Sequence, residues 1–174
     1  ADIKNYEAFA KSVGVQDYET LKGYIDRMRQ GEKDVLWKGR CQWYAKSSGT
    51  TNDKSKFIPV TPQGLQNAHY KGGFDVVAQF VANNPSSRIF AGKGLILGGS
   101  HAPNYNLPGS LVGDLSAILI ENCSPFVNMM RVPGKDIALL SDFEEKMDRI
   151  ARATSNVNVT NLSGSDGHLH PCIE

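Results

Sequence analysis

Ser47-Ser48-Gly49-Thr50-Thr51-Asn52-Asp53-Lys54-Ser55-Lys56, followed by Phe57-Ile58-Pro59-Val60, is the segment from which the organisation of this chain follows. Hydroxyl side chains crowd around one glycine, and two lysines come next. Gly49 lets the backbone come close to a ligand and adopt angles closed to other residues. Amides and hydroxyls turned inward by such a loop form a concave set of donors suited to oxyanions. A lysine beside them adds a mobile positive charge for the outer phosphates of a nucleotide. The same composition also describes a solvated Ser/Thr turn between two strands, with lysines serving solubility. Composition alone does not separate the two.

Two familiar phosphate motifs are excluded by spacing. The G-x-x-x-x-G-K-[ST] pattern would take Lys54-Ser55 as its end, but Asp53 stands where its second glycine must be. An acidic side chain there would face the phosphates. Gly92-Lys93-Gly94-Leu95-Ile96-Leu97-Gly98 misses the dinucleotide fingerprint because its third glycine comes one residue late. It reads instead as a buried strand entering a glycine turn.

The segment from Trp37-Lys38-Gly39 through Tyr44-Ala45-Lys46 and on to Thr61 resembles the phosphate-loop region of the GH3 acyl-acid amido synthetases. These are the auxin-responsive plant enzymes and their bacterial branch, within the adenylate-forming superfamily. The likeness extends beyond the loop. Asp17-Tyr18-Glu19 with Leu21, Tyr24-Ile25, Met28 and Gly31-Glu32 is similar to the helix ahead of it. Gly98-Gly99-Ser100, Gly113-Asp114-Leu115 and Asn158 to Gly164 are similar to later segments in the same order.

The resemblance implies an α/β fold, a partial amino-terminal adenylation domain with mixed sheets and flanking helices. It assigns residues 1–164 to that domain and leaves 165–174 as a tail outside the family pattern, expected to be disordered. Family members are far longer, so the adenine-binding segment, hinge and small carboxy-terminal lobe are expected outside these residues. The activity implied is that of a ligase. A carboxylic acid is adenylated by ATP with magnesium, and an amino acid then takes the acyl group as an amide. Carried over by position, Ser48, Gly49, Thr50 and Thr51 clasp the β- and γ-phosphates, with Ser47, Lys54 and Lys56 counted among the nucleotide-binding residues. Lys56, directly before the aliphatic-Pro strand, fits the family's lysine position better than Lys54. Asn52-Asp53 departs from the glycine that many adenylate-forming enzymes place here. Catalysis is not expected of the 174 residues alone. Two alternatives stand beside the ligase: a non-catalytic nucleotide- or phosphate-binding module, and a purely structural α/β domain.

Composition agrees with one globular domain. The chain has 174 residues, 40% apolar and 21% charged, with a formal net charge of +1. That charge gives no polyanion signature, and no basic run interleaves with aromatics, so nucleic acid is not an expected partner. No apolar run approaches the roughly 18 residues of a membrane span. Self-association through the face left bare by truncation is expected instead. Cys41, Cys123 and Cys172 are odd in number and widely spaced, which argues against a disulfide framework and for a reducing, cytoplasmic setting. His168, His170 and Cys172 carry zinc-ligand chemistry, but three ligands on a terminal segment are not read as a metal site.

Alternation of helices and strands supports a layered α/β fold. Tyr18, Leu21, Ile25 and Met28 form one helical stripe, capped by Asp17 and stopped by Gly31. Phe57–Val60 is a short strand that Pro59 confines to an edge or a turn. Thr61-Pro62 opens a helix that Leu65, Ala68, Val76, Val77 and Phe80 are expected to bury on one side. Arg88–Ala91 and Leu95–Leu97 are expected as buried strands, and His101 to Gly109 as a loop. Leu115 to Ile120 fits a strand or a buried helix. Ser141 with Glu144 makes a capping box for a helix carrying Phe143, Met147 and Ile150. Val157 and Val159 mark a last strand. His69, and Arg131 in a loop, could meet a carboxylate, but a solvated or capping role is the expectation for each. His101 follows a predicted strand at the end where α/β ligands collect. Asp114 reads as a turn or cap residue.

Overall fold

A computed structural model describes residues 3–47 and 55–164. Helix α1 (Tyr6–Ser12) precedes α2 (Tyr18–Arg29), whose ends follow from local chemistry. Asp17 accepts from the Thr20 amide at 2.8 Å, and the Thr20 hydroxyl accepts in return from the Asp17 amide at 3.1 Å. At the other end Gly31 takes φ +94°, letting its amide reach the Met28 carbonyl and that of Glu32 reach Arg27. This is the left-handed stop that glycine permits. Ile25 and Met28 are buried, with Tyr18 and Leu21 packed beside them.

Strand β1 (Trp43–Lys46) is the centre of the first sheet. It pairs antiparallel with β2 (Phe57–Val60), with Lys46 opposite Phe57. Pro59 lacks an amide, and β2 is accordingly an edge strand. The two faces of β1 enter different cores. Tyr44 lies with Ile25, Met28, Cys41 and Val112, whereas Ala45 lies with Val60, Leu65 and Ile118.

Thr61 caps the next helix through the Gly64 amide at 3.0 Å, and Pro62 fills the first position. This helix runs as α3 (Pro62–Gly64), a π-helical segment Leu65–Tyr70, and α4 (Lys71–Asn83). Leu65 is buried as expected, but Ala68, Val76 and Phe80 are exposed and Val77 only half-buried. No residue of α4 is fully buried, so much of its apolar stripe faces out. Gly72 and Gly73 likewise have no neighbour within 4 Å of an added Cβ.

The second sheet is parallel. Strand β3 (Lys93–Leu97) sits between β5 (Arg131–Val132) and β6 (Val159–Gly164). Arg88–Ala91 is a turn, not the expected strand. Its carbonyls are taken by side chains: Ile89 accepts from Thr160 and Asn161, and Ala91 from Asn158. Val157 also lies outside β6, in the turn before it.

Between the sheets, the loop from His101 holds a 3-10 turn, Pro103–Tyr105, and leads to β4 (Leu111–Gly113), which pairs parallel with β1. Leu115–Asn122 resolves as a helix, α5, with Ala117, Ile118 and Ile120 buried. Short helices α6 (Pro125–Met129) and α7 (Lys135–Ala138) flank β5, and α8 (Phe143–Thr154) follows. Asp142, not Ser141, caps α8, accepting from the Glu145 amide at 2.8 Å. No helix among the described residues is long and apolar enough to cross a membrane. The tail 165–174 lies outside the described residues.

Candidate phosphate-binding site

Ser47 and Lys56 stand opposite each other where β1 ends and β2 begins. The Ser47 amide donates to the Lys56 carbonyl at 3.0 Å, and the Lys56 amide donates to the Ser47 hydroxyl at 3.3 Å. The hairpin ladder therefore continues one step past the strands and closes the neck of the hydroxyl-rich segment. Ser48, Gly49, Thr50, Thr51 and Lys54 lie outside the described residues. Of the expected phosphate-binding residues, the structure thus positions Ser47 and Lys56.

Cations and aromatic rings gather on the α2 side of that neck. The Lys56 Nζ lies 5.4 Å from the centre of the Tyr18 ring, and the Lys46 Nζ lies 4.1 Å from that of Tyr105. The Arg29 guanidinium stacks 3.7 Å over Phe57 and donates to the Tyr105 carbonyl at 2.8 Å. Tyr18 fixes the strand from the same side, its hydroxyl accepting from the Phe57 amide at 2.9 Å. Ring faces hold these cations without neutralising them. An open groove of about 570 Å³ runs alongside, lined in part by Tyr18, Lys22, Arg29, Ser55 and Tyr105. Asp26 is the acid on its wall. The neck is therefore a place where an anion meets more positive than negative charge.

The carboxyl ends of β3 and β4 meet beside it. Gly98-Gly99-Ser100 turns the chain out of β3, and each residue of the turn is held. The Gly99 amide donates to the Ser116 hydroxyl at 2.8 Å, and the Ser100 amide to the Asp114 carboxylate at 2.9 Å. Asp114 thus occupies the cap position of α5 but spends its side chain on the turn. Lys146, from α8, donates to the carbonyls of Gly98 and Gly99 at 2.8 and 3.1 Å. It is 5% exposed, and burial lowers its pKa while the Asp114 charge opposes that shift. His101 follows the turn, bridges to Gly113, and lies 5.2 Å from the Trp43 ring and 4.0 Å from the Glu121 carboxylate.

Other expected candidates fall elsewhere. Arg131 is not in a loop but in β5, 4% exposed, with its Nη1 donating to the Pro133 carbonyl at 2.6 Å. His69 is exposed on the π-helical segment. Cys41 is buried and Cys123 half-buried, both free thiols. No cluster of three or more metal-binding side chains occurs among the described residues, and His168, His170 and Cys172 lie outside them. Lys146 and Ser116 were not legible as site residues. Lys146 does carry a signal, since it falls four residues before Ile150 on the stripe that faces the core.

Comparison with known proteins bears on the family and the fold. The GH3 family N-terminal domain matches residues 1–166. The solved structure of "GH3.15 acyl acid amido synthetase" superposes with a TM-score of 0.60 at 23% identity, over 82% of this chain and 24% of that one. "AtGH3.15 acyl acid amido synthetase in complex with 2,4-DB" gives 0.60 at 22% identity, over 82% and 25%. At these identities the likeness is one of fold. The chain spans about a quarter of the length of these solved structures. No curated protein matches it. With a family match over nearly its whole length, the chain belongs to the GH3 family, as its N-terminal domain.

Proposed function

We propose that this domain is the phosphate-holding part of an ATP-dependent acyl-acid amido synthetase. A carboxylate oxygen of the acid attacks the α-phosphorus of ATP, the bond to the β-phosphate oxygen breaks, and pyrophosphate leaves. The amine of an amino acid then attacks the acyl carbon of the acyl-adenylate, releasing AMP and a proton and forming the amide.

The observation that carries this reading is the closed neck at Ser47 and Lys56, in a domain of this family, with three further cations beside it. Phosphoryl chemistry of this kind needs positioned donors and positive charge where negative charge develops. Ser48, Gly49, Thr50 and Thr51 supply the donors, and Lys54 and Lys56 supply mobile charge. Magnesium bound with the nucleotide would neutralise phosphate charge there. The setting is cytoplasmic, in keeping with the free thiols of Cys41 and Cys123.

A second reading, a nucleotide- or phosphate-binding module without catalysis, is favoured for these residues alone, because they cover 24% of the matched synthetase chain. Calorimetric titration with ATP, ADP and inorganic phosphate tests the binding common to both. The ligase reading expects ATP to bind, and Lys56→Ala to weaken it. Binding of none of the three by a folded domain would contradict both readings and leave a structural one.

A further inference from the structure

We propose that Lys146 is a positioning residue for the carboxyl-end wall of this site, fixing the Gly98–Ser100 turn and through it the placement of His101 beside the phosphate-loop neck. The chain of contacts is continuous. Lys146 binds two successive carbonyls from a helix 47 and 48 residues away in sequence. Opposite it, Ser116 and Asp114 take the turn's amides. The turn has no slack: a Cβ on Gly98 would lie 2.5 Å from Ile120 Cδ1, and one on Gly99 would lie 2.1 Å from the Asp114 carboxylate. Its next residue, His101, therefore emerges at a set angle. It bridges to Gly113 of β4 and packs on Trp43 of β1, the strand that runs into Ser47.

A lysine is suited to this task. Its ammonium carries several donors and can satisfy two carbonyls at once, where no neutral side chain of its length could. A leucine or methionine would fill the space equally well, so the buried charge is not needed for packing alone. The functional consequence rests on the ligase reading above. The loop holds the phosphates, and the strand end beside it holds what reacts with them. Lys146 thus acts on the acid and not on the nucleotide.

The test uses Trp43 as reporter in the 174-residue chain carrying Trp37→Phe, which leaves one tryptophan. The His101 ring lies 5.2 Å from the Trp43 ring and shields the indole from a solute quencher. Acrylamide quenching of Trp43 should therefore rise on His101→Ala, and the size of that rise is the amplitude that reports the contact. Lys146→Met should remove more than half of this amplitude with helix content and cooperative melting retained, whereas Lys146→Arg should preserve it. If Lys146→Met does not fold, Lys146→Gln, an uncharged side chain one atom shorter, decides in the same way. An unchanged amplitude in the folded variant would overturn the proposal. Failure of both to fold would overturn it too, since the lysine would then hold the fold and not the turn. No nucleotide enters this measurement, so its outcome is independent of the ligase reading. In the full-length enzyme Lys146→Met should lower kcat about a hundredfold through misplacement, with the KM for ATP within about twofold. The reverse split would contradict a role on the acid side.

Discussion

The Ser47 amide and the Lys56 carbonyl, 3.0 Å apart, pin the two ends of the hydroxyl-rich segment to adjoining points of one hairpin. Fixing the ends of a loop removes much of the entropy that its donors would otherwise lose on meeting a ligand. The pin also places the segment at the carboxyl end of β1, beside β4, which is where open α/β sheets collect their ligands. A short hydrogen bond between backbone groups thereby links sequence, sheet and site.

The turn at the end of β3 depends on missing side chains. Gly99→Ala would set a methyl 2.1 Å from the Asp114 carboxylate, which is itself tied to the Ser100 amide. Relief requires moving that carboxylate off its partner, and we expect a loss of about 1–3 kcal/mol. Gly72→Ala is the control. It has no neighbour within 4 Å and sits inside a helix, so it should stabilise by about 0.5–1 kcal/mol. Denaturant melts of the two variants should move in opposite directions.

Arg131 places a guanidinium at 4% exposure with its Nε and Nη2 unpartnered among the described residues. A buried charge without a counter-charge is costly, and an apolar side chain of similar volume removes the cost. Arg131→Met should therefore leave stability unchanged or raise it by up to about 2 kcal/mol despite losing the Pro133 bond. A fall of that size in thermal melts would show that the cation has a partner of its own.

Two tyrosines make the fold sensitive to alkali. Burial, helped by neighbouring Cys123, pushes the Tyr70 phenol up to about 12, and burial with Cys41 raises Tyr44 as well. The folded state keeps these protons after the unfolded state has released them. Stability is thus full below the ordinary tyrosine value of 10.0 and is lost as pH rises from there toward 12. Denaturant midpoints across that window should decline, and Tyr70→Phe should flatten the decline.

Sequence and structure agree where a residue's task is local. The α2 stripe, its Asp17 cap and its Gly31 stop were all legible, as were Thr61-Pro62 and the edge position imposed by Pro59. Disagreement arises where partners are distant. Arg88–Ala91 has strand-like composition, but its carbonyls are claimed by Asn158, Thr160 and Asn161. Periodicity likewise assigns α4 an apolar stripe without saying whether anything covers it. Lys146 and Arg131 were obscure for the same reason, since a charge reads as exposed until the carbonyls that bury it are known. The interior of the hydroxyl-rich segment, 48–54, lies outside the described structure.

That uncovered stripe predicts association. Val76 is 70% and Phe80 45% exposed, four residues apart on one face of a helix of 13 residues with none buried. They present apolar surface of the kind that monomers rarely leave bare. The 174-residue chain should dimerise through this face in a concentration-dependent way, and Val76→Glu with Phe80→Glu should return it to monomer. Sedimentation velocity showing a monomer at all concentrations would exclude the face as an interface.

Carboxylate-dependent exchange of labelled pyrophosphate into ATP tests the ligase reading most directly. It isolates adenylation, the step assigned to the hydroxyl-rich loop and Lys56. In the full-length enzyme Lys56→Ala and Thr50→Ala should each slow exchange about a hundredfold, the effect of roughly 3 kcal/mol of lost charge stabilisation. Both variants should melt within about 0.5 kcal/mol of the parent, because neither side chain fills the core. The 174 residues alone should show no exchange. Parental rates in both variants, or robust exchange by the isolated domain, would contradict the assignment.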